Sequence, residues 1–101
     1  MDESSIEGSG YERDFFVLRL FVSGTSPNSV KAINNLKSIC ESHLIDRYEL
    51  EIIDIHQQPE LVKNEDVAAV PMLIKNSPLP KRRLVGDMSE KDKVLKGLGL
   101  M

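Results

Sequence analysis

A chain of 101 residues has room for one domain and one core. It is 41% hydrophobic and 29% charged with net charge −3, which argues against nucleic-acid binding through bulk positive charge. No apolar run approaches the ~20 residues that span a bilayer, and a single cysteine, Cys40, excludes an internal disulfide and any multi-cysteine zinc site.

Residues 1–13 mix acids with Ser4, Ser5, Gly8, Ser9 and Gly10 and read as a flexible tail ahead of one domain at 14–101. They lack the basic and apolar regions of a signal peptide, so the expected location is cytoplasmic. FFVLRLFV (15–22) is a nearly continuous apolar run and predicts a strand buried on both faces. Ser26 then fits an N-cap and Pro27 a first helical residue. Val30, Ile33, Leu36, Ile39 and Cys40 recur at three- and four-residue spacing, which predicts an amphipathic helix over 27–43 with those residues inward. YELEIIDI (48–55) predicts a second strand, and a crossover of helical length makes the pair parallel.

Pro59 starts a shorter helix over 59–66. Met72–Ile74 is a short strand, preceded directly by Val70-Pro71. NSPLP (76–80) is a turn, and KRRLV (81–85) is its hairpin partner. Ser89 and Asp92 have capping-box spacing before a last helix whose stripe is Val94, Leu95 and Leu98. Gly97 and Gly99 weaken that helix by up to ~1 kcal/mol each relative to Ala. The order βαβ-α-ββ-α is the thioredoxin-like arrangement of the α/β class. Pro71 then stands where that fold carries a cis-proline, at a cost of only ~0.5–1 kcal/mol for an X–Pro bond.

The residues offer no catalytic, cofactor or metal set. The first strand-to-helix turn, GTSPNS (24–29), holds no cysteine, so no thiolate can form there. It also lacks the GxxxxGK[ST] phosphate pattern. Cys40 lies on an apolar stripe, as a structural cysteine does. His43 and His56 fall in different elements at no ligand-like spacing. The expectation is a protein that is not an enzyme. The basic run Lys81-Arg82-Arg83 has no aromatic neighbours for base stacking and reads either as a protected sheet edge or as a match for an acidic protein surface.

Three blocks together resemble the KaiB family of circadian-clock proteins. They are LRLFVSGTSPNSVKAINNL (18–36), YELEIIDIHQQPEL (48–61) and VPMLIKNSPLPKRRLVGDMSEKDKVLKGL (70–98). The resemblance implies a non-enzymatic binding module for the hexameric ATPase KaiC, with KaiA and SasA-like proteins as secondary partners. It implies two arrangements of the C-terminal half: a monomeric thioredoxin-like state, and a tetrameric ground state with the order βαββααβ. The thioredoxin-like state is the one expected here, with 59–98 as the switchable half and Pro71, Gly97 and Gly99 as its structural residues. Neither nucleic acid nor membrane is implied as a partner. Lys31, Arg82 and Arg83 match basic positions of the family. Glu51 and Asp66 stand where the resemblance implies basic residues at the KaiC interface, and all five are candidate partner-binding residues. Such reversals of sign weaken a charge-complementary interface or redirect it. The alternative is therefore a divergent thioredoxin-like assembly or stress-response protein that does not bind KaiC.

Overall fold

The computed structural model describes residues 14–101, so the tail assigned to 1–13 lies outside the described residues. Seven elements follow in order: β1 (Phe16–Val22), α1 (Pro27–His43), β2 (Tyr48–Asp54), α2 (Pro59–Asn64), β3 (Met72–Ser77), β4 (Arg82–Val85) and α3 (Lys91–Leu98). The strands form one sheet in the order β2-β1-β3-β4. β1 and β2 run parallel, as their helical crossover requires, while β3 is antiparallel to both β1 and β4. This is the thioredoxin-like order, and the Val70–Pro71 bond ahead of β3 is cis. The Ser77–Pro78 and Leu79–Pro80 bonds are cis as well.

Strand alternation sends side chains to two unequal faces. Phe16, Leu18, Leu20 and Val22 of β1, with Leu73 of β3, face α1 and α3 and pack with Leu36, Ile39, Cys40, Leu44, Val94, Leu95 and Leu98. The other face carries Phe21, Ile53, Met72 and Ile74, lined by Leu61 and Val62 of α2 and by Val67 and Val70. Both faces of β1 are used, as its nearly continuous apolar run implied.

Four local expectations need correction. The inward stripe of α1 begins with Ser29 and Ala32, while Val30 is exposed and Ile33 only half-buried. The cause is polar: the Ser29 hydroxyl accepts from the Ser23 N–H at 3.0 Å and from the Ser26 hydroxyl at 2.8 Å, which turns the first helical turn inward at Ser29. The capping box does not form. Glu90 occupies the N-cap of α3 without a side-chain capping hydrogen bond, and Ser89 instead donates its N–H to Asp87 Oδ1 at 3.0 Å. Helix α2 ends at Asn64, because Glu65 is already extended. Gly99 lies beyond α3 as its left-handed C-cap, φ +81°, the conformation in which glycine is favoured. Gly97 is inside α3, where a Cβ would come within 2.5 Å of Leu84. Its lack of a side chain lets the helix sit directly on β4.

Candidate functional site

The first strand-to-helix turn is a closed polar lock. Ser26 caps α1 by accepting from Ser29 N–H at 3.3 Å, and Gly24 takes the positive φ of +54° that the turn requires. The Ser23 hydroxyl is hydrogen-bonded to His56 Nε2 at 3.1 Å, and Asp54 Oδ1 accepts the His56 N–H at 2.9 Å. These bonds tie the end of β1 to the end of β2. Cys40 is fully buried on the α1 stripe, and burial, with the charge of Glu41, pushes its thiol up to about 12. That is opposite to the depression an attacking thiolate needs. His43 is exposed in the last turn of α1, far along the chain from the turn that holds His56. Among the described residues, no three His, Cys, Asp or Glu side chains are placed to hold a metal.

Charged groups on the sheet and its edges offer more. The Lys81-Arg82-Arg83 run is not one patch. Arg82 pairs with Lys75 in the β3–β4 ladder and so shares the α1/α3 face with it. Arg83 pairs with Ile74 and faces the α2 side. Both arginines are exposed, and among the described residues neither has a carboxylate within ion-pair distance. Lys81 is committed instead, to Glu65 at 3.1 Å. Lys31 is exposed on α1 near the loop after β4. Hydrogen bonds from Ser89 hold the Asp87 carboxyl below the usual range, and Lys31 adds to that effect.

Glu51 and Asp66 also separate. Glu51 sits opposite Arg19 in the β1–β2 register and bonds it at 3.2 Å. Arg19 also reaches Glu65 at 3.7 Å, which completes a chain of alternating charges, Glu51–Arg19–Glu65–Lys81, across the α2 side. Asp66, next to Glu65, is exposed and carries no ion pair among the described residues. The structure thus gathers Glu51, Asp66 and Arg83 toward the α2 side and places Lys31 and Arg82 on the other.

Sequence reasoning missed Arg19, Glu65 and Lys75. The signal was a lone cation inside each of two apolar strands: Arg19 within FFVLRLFV and Lys75 after Met72–Ile74. Lys75 is 4% exposed, and its Nζ lies 3.5 Å from the Leu98 carbonyl at the C-terminus of α3, where a cation is favoured.

The KaiB domain matches residues 19–100 of the chain. The circadian clock oscillator protein KaiB of Prochlorococcus marinus subsp. pastoris is 43% identical over 89 residues, covering 88% of this chain and 83% of that protein. The KaiB of Synechococcus elongatus is also 43% identical over 89 residues, covering 88% and 87%. Among solved structures, the N-terminal domain of Synechococcus elongatus SasA superposes with a TM-score of 0.68 at 24% identity, over 97% of this chain and 95% of that one. The germline-specific thioredoxin Deadhead of Drosophila melanogaster superposes with a TM-score of 0.69 at 13% identity, over 87% and 82%. At those identities the two structures speak to the fold alone.

Proposed function

The chain belongs to the KaiB family, and on that basis we propose that it is a non-enzymatic module that docks on a KaiC-type hexameric ATPase and regulates circadian rhythm or related signalling. The observation that carries this reading is the 43% identity over 89 residues to circadian clock oscillator proteins. The chemistry of the first turn is consistent with it: hydroxyls occupy the place of a redox pair, and the one thiol is buried and hard to ionise. KaiA and SasA-like proteins are the secondary partners.

In this reading the docking surface is 48–66, from β2 through α2, with Glu51 and Asp66 on it and Lys31, Arg82 and Arg83 as electrostatic contacts. The C-terminal half, 59–98, is the part that rearranges between a monomeric thioredoxin-like state and a tetrameric one. The weak construction of α2 supports this: six residues, none buried, and no side-chain cap. Two packings of one sequence coexist when they differ by only a few kcal/mol.

The acidic residues Glu51 and Asp66 favour a second reading, a thioredoxin-like assembly or stress-response protein that does not bind KaiC. One experiment separates the two. The protein is mixed with the KaiC-type hexamer of its own organism and ATP, and size exclusion with light scattering is followed over hours. A shift to a complex of hexamer size supports docking. No complex after a day, from a folded chain, moves the function to the second reading.

A further inference from the structure

We propose that the outer edge of β4, with the groove beside it, binds an extended segment of a partner protein that carries two adjacent apolar side chains next to two carboxylates. β4 is the last strand of the sheet, so one of its two rows of backbone N–H and C=O groups has no partner strand among the described residues. Such a row is a template for an added strand. Beside it lies a groove of about 220 Å³, between the end of β4 and the start of α3, lined by Leu84, Val85, Met88 and Val94. That is below the ~300–1,000 Å³ of small-molecule pockets, and it suits single side chains better than a metabolite. Val85 is 52% exposed at its rim.

Charge selects the occupant. The carboxylates on the groove wall are already engaged: Asp87 by Ser89 N–H at 3.0 Å, and Glu90 by Lys93 at 3.8 Å. Arg82 and Arg83 have no such partner among the described residues. The opposite edge of the sheet, β2, carries Glu49, Glu51 and Asp54 and repels an acidic strand. On β4 the alternation gives a register. Arg82 and Leu84 lie on the α3 side, Arg83 and Val85 on the α2 side. A strand added antiparallel to β4 therefore meets Val85, Leu84, Arg83 and Arg82 in turn. It is best matched by two apolar residues followed by two acids, and a parallel strand by the reverse order.

This inference deepens the protein-binding reading at Arg82 and Arg83 and rests on it for the class of ligand, but its test needs no hexamer. Fluorescent peptides Ser-Ile-Val-Glu-Glu-Ser and Ser-Glu-Glu-Ile-Val-Ser are titrated with the full chain and followed by anisotropy. One of them is expected to bind saturably and more weakly as salt is raised. Arg82→Glu and Arg83→Glu should each weaken it at least ~10-fold with a urea midpoint no lower than that of the parent chain, since Arg82→Glu also relieves the repulsion on Lys75. Amide shifts should concentrate in 82–94. Four outcomes overturn the proposal. Neither peptide binds, or the shifts fall in 48–54. Neutralising Asp2, Glu3, Glu7 and Glu12 raises the affinity severalfold, which makes the protein's own N-terminal residues the occupant. Light scattering shows a dimer that Arg82→Glu dissociates, which makes the occupant a second copy. A hexamer complex without peptide binding removes this inference alone, and peptide binding without a hexamer complex removes the KaiC reading alone.

Discussion

The two faces of the sheet are built by different physics. On the α1/α3 side, four alternate side chains of β1 meet two helices, and Leu18, Leu20, Leu36, Cys40 and Leu44 are all fully buried. On the α2 side, among the described residues, only Phe21, Ile53, Met72 and Ile74 are buried, and their cover comes from half-buried residues of a one-and-a-half-turn helix and its flanks. The chain of charges Glu51–Arg19–Glu65–Lys81 borders that small cluster. Apolar burial contributes ~1.5–3 kcal/mol per large side chain, whereas an exposed ion pair contributes ~0–1 kcal/mol. One face is thus held by many large terms and the other by a few large terms and several small ones. A partner or an alternative packing has far less to displace on the α2 side.

Paired truncations test this difference most strongly. Leu36→Ala, at a fully buried position of α1, should cost about 2–5 kcal/mol. Leu61→Ala, half-buried in α2, should cost about 1 kcal/mol. Urea denaturation of both variants reads the gap, and equal losses would break the comparison. Gly97→Ala comes next. A Cβ there meets three carbons of Leu84 at 2.5–2.9 Å, so α3 must lift or Leu84 must repack. The expected loss is about 1–3 kcal/mol, larger than the ~1 kcal/mol gained in helix propensity. A more stable variant would show that the α3–β4 approach tolerates adjustment.

Arg19→Met sharpens the comparison from the other side. It leaves Glu51 without its partner and Glu65 with Lys81 alone. The expected cost is about 1 kcal/mol in low salt and less in 1 M salt, where the Debye length is ~3 Å. Amide exchange over 59–67 should accelerate while that of α1 stays as it is. Equal acceleration in both would mean that the charges serve the whole fold and not the α2 side.

How far each region was legible in the sequence follows the same division. Continuous or periodic apolar runs read through to structure: 15–22 became β1 at Phe16–Val22, and 27–43 became α1 with the same bounds. Errors arose where a polar group overrode the pattern. Val30 fits the helical period, yet hydrogen bonds to the Ser29 hydroxyl set which side of the first turn faces in. Ser89 and Asp92 have the right spacing, yet the Asp87 carboxylate claims the Ser89 N–H and α3 starts later. The run Lys81-Arg82-Arg83 is contiguous in sequence and divided in space, because strand alternation sends Arg82 and Arg83 to opposite faces. The Arg19–Glu51 pair depends on the parallel register of β1 and β2, which hydrophobic pattern does not fix residue by residue.

Lys75 sets a buried charge inside the face with the larger apolar core, and its removal should act with the opposite sign. Burial lowers its pKa from the ordinary 10.5, the nearby Arg82 lowers it further, and Asp14 opposes both. Between the lowered folded value and 10.5 the unfolded chain holds more protons than the folded one, so this group's contribution to stability rises with pH across that window and is unfavourable below it. The single long bond from Nζ to the Leu98 carbonyl, 3.5 Å, offsets only part of that cost. Lys75→Met keeps the stem that packs in the core and removes the charge. It should raise the urea midpoint modestly at pH 7, and the gain over wild type should shrink as the pH is taken toward 10.5. Comparing the two chains at each pH cancels the opposing drift from Tyr48, whose pKa is raised by burial and by Glu41. A variant less stable at pH 7 would mean that the ammonium holds the end of α3 more firmly than its desolvation loosens it. The α1/α3 face would then depend, like the α2 side, on a charge for its last increment of order.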